Sequence, residues 1–202
     1  MKIIKQYIDH NFSWRTKDVR IDWIVVHYAG IAGAQGRASM VANSLCRASK
    51  SDCETKLRRT ASTHYIVGDD AIYQLVRDKH RAWHCGGYST SNKCAACNNN
   101  SLGVDLVEHK RNPQSSSVND ADWYFSHKVL VDGAQLVAML ADMYGIPNTH
   151  IVRHFDVTGK QCPRPFVGAD MNEITCEAHE LGWIVFKERV RMARHAGQSG
   201  AA

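Results

Sequence analysis

The stretch RHFDVTGKQCPRP, Arg153 to Pro165, gathers three side chains that can do chemistry: His154, Lys160 and Cys162, within nine residues. Neutral imidazole and thiolate are donors that zinc prefers. A catalytic zinc site uses three of them and leaves a fourth position for water. His154 and Cys162 can face one ion if the loop through Gly159 folds back on itself. The third ligand must come from elsewhere in the chain, and His27, at the end of the apolar run WIVVHYAG, is best placed. With 11 histidines present, spacing alone leaves the set open, and a loop around one buried cysteine is the plain alternative.

Such a group needs a rigid frame. Trp23 to Gly30 reads as an apolar strand ending in a turn. THYIVGDDAIYQLV reads as a hairpin turning at Gly68-Asp69-Asp70. SLGVDLVEH is a further strand, and THIVRH a short buried one that delivers His154. Helical spacing is expected from about Gln35 to Leu57, from Ser126 to Tyr144 with a stop at Gly145 and Pro147, and from Cys176 to Arg194. Strands alternating with helices predict an α/β fold with one mixed sheet.

At 202 residues the chain fits one domain with a substantial core. We expect the catalytic unit over residues 1–168 and a helical tail over 169–202. That tail is expected to pack on the domain or on a second copy through Trp183, Ile184, Phe186 and Val190. No apolar run reaches membrane-spanning length. The start, MKIIKQYIDHNFSWR, has no signal-peptide layout, so synthesis in the cytoplasm is expected, with retention there or release by some other route. The formal charge of +5 suits an anionic polymer. No Lys/Arg tract or aromatic motif points to nucleic acid. Seven cysteines without an export signal argue for metal binding or burial over a disulfide framework. Cys94 and Cys97 could hold a second metal, pair, or stay free; Cys46 and Cys53 could pair.

The pieces IVVHYAG, STHYIVGDDAIYQLV, AWHCGG, NNNSLGVDLV and IVRHFDVTGKQCPRP occur here in the order seen in zinc-dependent N-acetylmuramoyl-L-alanine amidases. The chain resembles the family of phage lysozyme-type amidases that also includes animal peptidoglycan recognition proteins, from about Asp22 to Phe166. The resemblance implies a single domain, a twisted mixed sheet flanked by helices, with a cleft across one zinc ion. It implies His27, His154 and Cys162 as zinc ligands, Lys160 and Tyr65 as catalytic groups, and Trp83 and His84 beside the substrate. Asp105 is a second possible base. His64 is expected on the opposite face from Tyr65, in a structural role. The stretch from about Gln35 to Arg59 is longer than the family pattern, and Cys94, Cys97 and NNN decorate a cleft-side loop; both bear on substrate fit and leave the metal site untouched.

The function so implied is hydrolysis of the amide between N-acetylmuramic acid and L-alanine in bacterial peptidoglycan, most simply by a phage or prophage endolysin acting on the bacterial cell wall. A cytoplasmic muropeptide-recycling amidase and a non-catalytic peptidoglycan-binding protein are the alternatives. Retention of Lys160, Cys162 and Tyr65 together argues against the last, because binding alone needs none of them.

Overall fold

Short β-rich runs open the chain as strands β1 (Ile3–Lys5), β2 (Phe12–Trp14) and β3 (Trp23–Tyr28), followed by helix α1 (Ala38–Arg47). The expected hairpin is β4 (Tyr65–Val67) and β5 (Ile72–Gln74), closed by the Gly68 N–H on the Ala71 carbonyl at 2.9 Å. Strands β6 (His80–Ala82), β7 (Ser101–Leu106), β8 (His109–Lys110) and β9 (Trp123–Tyr124) lead to helix α2 (His127–Tyr144). A 3-10 turn and strand β10 (Ile151–Arg153) then precede helices α3 (His154–Thr158), α4 (Arg164–Val167) and α5 (Glu173–Ser199). The computed structural model describes residues 1–47, 60–87, 93–115, 117, 120–168 and 173–199. The second half of the helix expected from Gln35 to Leu57 therefore lies outside the described residues.

Six strands form one mixed sheet in the order β1-β5-β4-β7-β3-β10, and only the β4–β5 pair is antiparallel. Parallel neighbours must be covered on both faces, and here they are. On one face lie α2 and α5, which share a core with Ile24, Val26, Leu102, Val104 and Leu106. On the other, Ala38, Val41 and Ala42 of α1 pack with Ile66, Leu75 and Val107. The ends of α2 follow its sequence. Ser126 Oγ accepts the Val129 N–H at 3.1 Å, and Gly145 stops the helix at φ 66°, a left-handed position that glycine adopts without strain.

Helix α5 extends past the expected Cys176–Arg194 at both ends. Trp183, Phe186 and Val190 are buried in the shared core, while Ile184 is exposed with Leu181, Val185 and Met192. Of the four side chains expected to pack on the domain or on a second copy, Trp183, Phe186 and Val190 complete the domain's own core. Arg153, at the end of β10, ties this helix to the sheet: its guanidinium reaches Glu180 at 2.6 Å and Asp156 at 2.8 Å.

Alternation along the central strands decides which side chains meet. Ile24 and Val26 of β3 point to the α2 face, as do Leu102, Val104 and Leu106 of β7. His27 therefore points to the opposite face, and Ser101, Gly103 and Asp105 share that face. The parallel register sets Val25 beside Gly103 and His27 beside Asp105.

Candidate active site

Three separate segments bring His27, His154 and Cys162 together. β10 runs beside β3 with Arg153 opposite Val26, so the next residue, His154, comes level with His27. The turn of α3 ends at Gly159, whose φ of 82° reverses the chain. The segment folds back so that the Cys162 carbonyl accepts the Phe155 N–H at 2.9 Å. Cys162 Sγ comes to 3.7 Å from His27 Nδ1. The three potential ligand atoms lie within 4.8 Å of one another. The side chains are nearly sealed: His27 is 5% exposed, His154 7% and Cys162 3%.

Burial sets their protonation. It holds His27 well below the usual imidazole range, helped by His154, His84 and Lys160 nearby. Burial, then the Lys160 ammonium, holds His154 down to about 4. Both rings are therefore neutral at physiological pH and keep a lone pair to give. The Cys162 thiol is pushed up to about 12 by burial, against the opposing hydrogen bond from the Tyr28 backbone. His154 Nδ1 is buried without a hydrogen-bond partner, which is rare for a polar atom unless something else takes its lone pair. Two neutral imidazoles and a thiol suit a borderline-soft divalent ion such as zinc. The residues fit a metal.

Around this group opens a cleft of about 480 Å³, lined also by Thr63, Asp105, Lys160, Gln161 and Arg164. Lys160 is exposed at its mouth, and Asp105 is half-buried in its wall. His84 joins the wall, but both ring nitrogens face protein partners, His27 and Ser101.

Other expected residues stand elsewhere. Tyr65 is paired with Val104, whose side chain faces α2, so parity sends Tyr65 into the α2-side core. Its hydroxyl donates to Asp78 at 2.8 Å, and Tyr144 donates to the same carboxylate at 2.7 Å. Tyr65 does not line the cleft. His64 does face the metal-ligand side, contrary to the expected order of the two. Its Nδ1 accepts the Gly103 N–H at 2.9 Å, and its ring lies 5.7 Å from that of His84. Trp83 lies outside the cleft lining and donates its indole N–H to Ser13 Oγ at 3.2 Å. The described cysteines 46, 85, 94, 97 and 162 are free. Cys53, the expected partner of Cys46, lies outside the described residues. Among the described residues, the His27 group is the one close-set trio of potential ligands, so Cys94 and Cys97 do not complete a second.

One supporting residue went unread in the sequence. Glu108, fully buried, accepts the N–H groups of Ala29 at 2.9 Å and Ile31 at 2.7 Å. It thereby clamps the turn whose Ala29 and Gly30 form the rim of the cleft. Burial pushes its carboxyl up to about 7 from 4.5, although the backbone donors pull the other way. A carboxyl that holds its proton more tightly folded than unfolded contributes most below pH 4.5, and that contribution fades as pH rises through about 7. Glu108→Gln should cost about 1–3 kcal/mol, because an amide N–H₂ must face backbone donors. The gap between wild type and variant should narrow from pH 5 to pH 8 in urea denaturation, and parallel pH profiles would refute the clamp's titration.

Comparison with known proteins gives the family and the fold. The sequence profile of the N-acetylmuramoyl-L-alanine amidase family matches residues 17–165. The chain is 28% identical over 181 residues to the N-acetylmuramoyl-L-alanine amidase CwlL of Bacillus licheniformis, covering 87% of this chain and 45% of that protein. It is 27% identical over 105 residues to the amidase XlyA of Bacillus subtilis (strain 168), covering 52% of this chain and 30% of the relative. The chain thus spans less than half the length of these relatives. In three dimensions it is similar to the catalytic domain of XlyA, with a TM-score of 0.61 at 23% identity over 94% of this chain and 99% of the other. PlyL gives a TM-score of 0.62 at 18% identity, over 94% and 97% of the two chains. These two likenesses show a shared fold.

Proposed function

The chain belongs to the N-acetylmuramoyl-L-alanine amidase family, and from that premise we propose that it hydrolyses the amide between N-acetylmuramic acid and L-alanine in bacterial peptidoglycan. The observation that supports this is one cleft where His27, His154 and Cys162 converge beside Lys160 and Asp105. His27, His154 and Cys162 would hold one zinc ion per chain. Bound there, zinc supplies Lewis acidity, polarising the scissile carbonyl and making water reactive near neutral pH.

The chain's own side chains carry the remaining roles. Negative charge develops on the amide oxygen as the carbonyl carbon turns tetrahedral. Lys160 brings an ammonium to that side of the cleft and donates to the oxygen, a contribution of roughly 2.7–4 kcal/mol for a donor of this kind. Asp105, opposite His27 in the sheet register, takes a proton from water and returns one to the leaving amine of L-alanine. Tyr65 takes no part, because its hydroxyl is committed to Asp78 on the far face. The partner is the MurNAc-peptide of the wall. Among the described residues no helix is long and apolar enough to cross a membrane.

The test is product analysis on purified sacculi and on soluble muropeptides. Cleavage should expose new L-alanine amino termini and leave the count of reducing sugar ends unchanged. New reducing ends would make the enzyme a glycosidase and end this reading. Turnover of soluble fragments alone would assign it to muropeptide recycling, and binding without cleavage would make it a peptidoglycan-binding protein.

A further inference from the structure

His27 has two ring nitrogens, and a metal needs the one that faces Cys162 to carry a lone pair. A neutral imidazole bears its proton on either nitrogen, with little intrinsic preference, so something must choose. The structure holds a chain of hydrogen bonds that makes the choice. His27 Nε2 lies 3.0 Å from His84 Nδ1. His84 Nε2 lies 3.2 Å from Ser101 Oγ, and Ser101 Oγ lies 2.5 Å from the carbonyl oxygen of Cys97.

The direction of the chain follows from its far end. A carbonyl oxygen can only accept, so the Ser101 hydroxyl donates to Cys97. The hydroxyl oxygen then accepts from His84, which places the His84 proton on Nε2. Neutral His84 is left with a lone pair on Nδ1, and His27 must donate to it from Nε2. His27 Nδ1 is thereby free, and it is the nitrogen 3.7 Å from Cys162 Sγ.

A second, independent observation comes from Gly103. A Cβ at that position would sit 2.7 Å from His84 Cγ and 2.9 Å from His84 Nδ1. A side chain there would meet the ring itself, so the strand leaves an empty seat on which His84 rests. The backbone of the same residue is anchored too, since Asn98 Oδ1 accepts the N–H of both His84 and Cys85, at 3.0 and 2.8 Å. The Cys97 turn is held in turn by Asn100, whose Oδ1 accepts the Cys97 N–H at 2.8 Å. The run CNNNS supplies both the carbonyl that starts the chain and the side-chain amides that fix it.

We propose that His84, seated on Gly103 and polarised by Ser101, is a positioning residue that fixes the tautomer and orientation of His27 before metal arrives. This rests on the reading of the His27 group as a zinc site, and the test separates the two claims. Histidine tautomers are read from long-range ¹⁵N–¹H NMR of the full metal-free chain, and zinc affinity from chelator competition. Wild type should show His27 protonated on Nε2 alone. His84→Leu and Gly103→Ala should both mix the tautomers and weaken zinc binding by roughly 10–100-fold, the usual cost of losing a ligand's outer hydrogen bond. His84→Asn, whose Oδ1 can stand near the lost Nδ1, should restore most of both. If His84→Leu fails to fold, Ser101→Ala gives the same reading, because it frees His84 to take either tautomer.

An Nε2–H His27 and wild-type zinc affinity in the folded variants would overturn the proposal while leaving the zinc site standing. The expected tautomers in a wild-type chain that binds no zinc would instead overturn the zinc site and keep the hydrogen-bond chain.

Discussion

Cys162→Ala should abolish stoichiometric zinc and all activity, whereas the wild-type chain, purified without added metal, should carry close to one zinc. The thiol is one of the three candidate donors and the only one able to bring a negative charge. Without it two neutral imidazoles remain, and an open, weakly held ion is the most they support. The energetic signature is specific. A ligand that binds only the folded chain stabilises it by RT ln(1 + [L]/Kd), about 4 kcal/mol at a thousandfold excess over Kd. Wild type should therefore melt well above the variant in excess zinc. In strong chelator the difference should shrink to the small cost of removing one buried sulfur. Zinc uptake by the wild type should also release a proton, since burial keeps the Cys162 thiol protonated until metal displaces its hydrogen. A Cys162→Ala chain with one tightly held zinc, or equal melting of both proteins in zinc, would remove Cys162 from the ligand set.

Spacing alone leaves the candidate ligand set open, and the family resemblance singles out His27, His154 and Cys162, whose positions then follow local signals. His27 ends an apolar strand, His154 follows another, and Gly159 marks the reversal that returns Cys162. Tyr65 shows where such reading stops. Strand β4 is buried at all three positions, Tyr65, Ile66 and Val67, so no alternation tells which face each side chain takes. Its parity is set by pairing with β7, a partner some forty residues away, and that register turns Tyr65 toward α2. Where alternation exists, as in SLGVDL, the polar face of Ser101, Gly103 and Asp105 can be read directly. Their roles cannot, because each depends on a residue from another segment: the His84 ring over Gly103, the Cys97 carbonyl beyond Ser101. Strands β1 and β2 escaped notice for a simpler reason. Each has three residues, too few to show a period. Glu108 escaped because its partners are backbone N–H groups, which carry no residue identity.

Lys160→Ala should fail in the opposite way from Cys162→Ala, keeping the metal and losing the rate. The side chain is exposed at the cleft mouth, so its loss leaves no cavity and the fold should melt as before. Its ammonium already disfavours positive charge on His27 and His154. The same repulsion acts on a bound cation, so zinc affinity should stay level or rise slightly in the variant. Turnover should drop by roughly 10²–10³, the loss found when one donor to a developing oxyanion is removed, with kcat bearing most of it. Lys160→Arg should recover part of the rate, since it keeps the charge but presents it on a broader, planar group. Tyr65→Phe serves as the control. It removes a hydroxyl bonded to Asp78 on the far face, so it should lower stability and leave turnover near wild type. The readout is release of L-alanine amino termini from sacculi, alongside metal content and melting for each protein. Loss of zinc from Lys160→Ala would make the lysine a structural part of the metal site. Unchanged turnover would leave the oxyanion without its donor, and a large drop in Tyr65→Phe would mean that the hydroxyl leaves Asp78 and crosses to the cleft during catalysis.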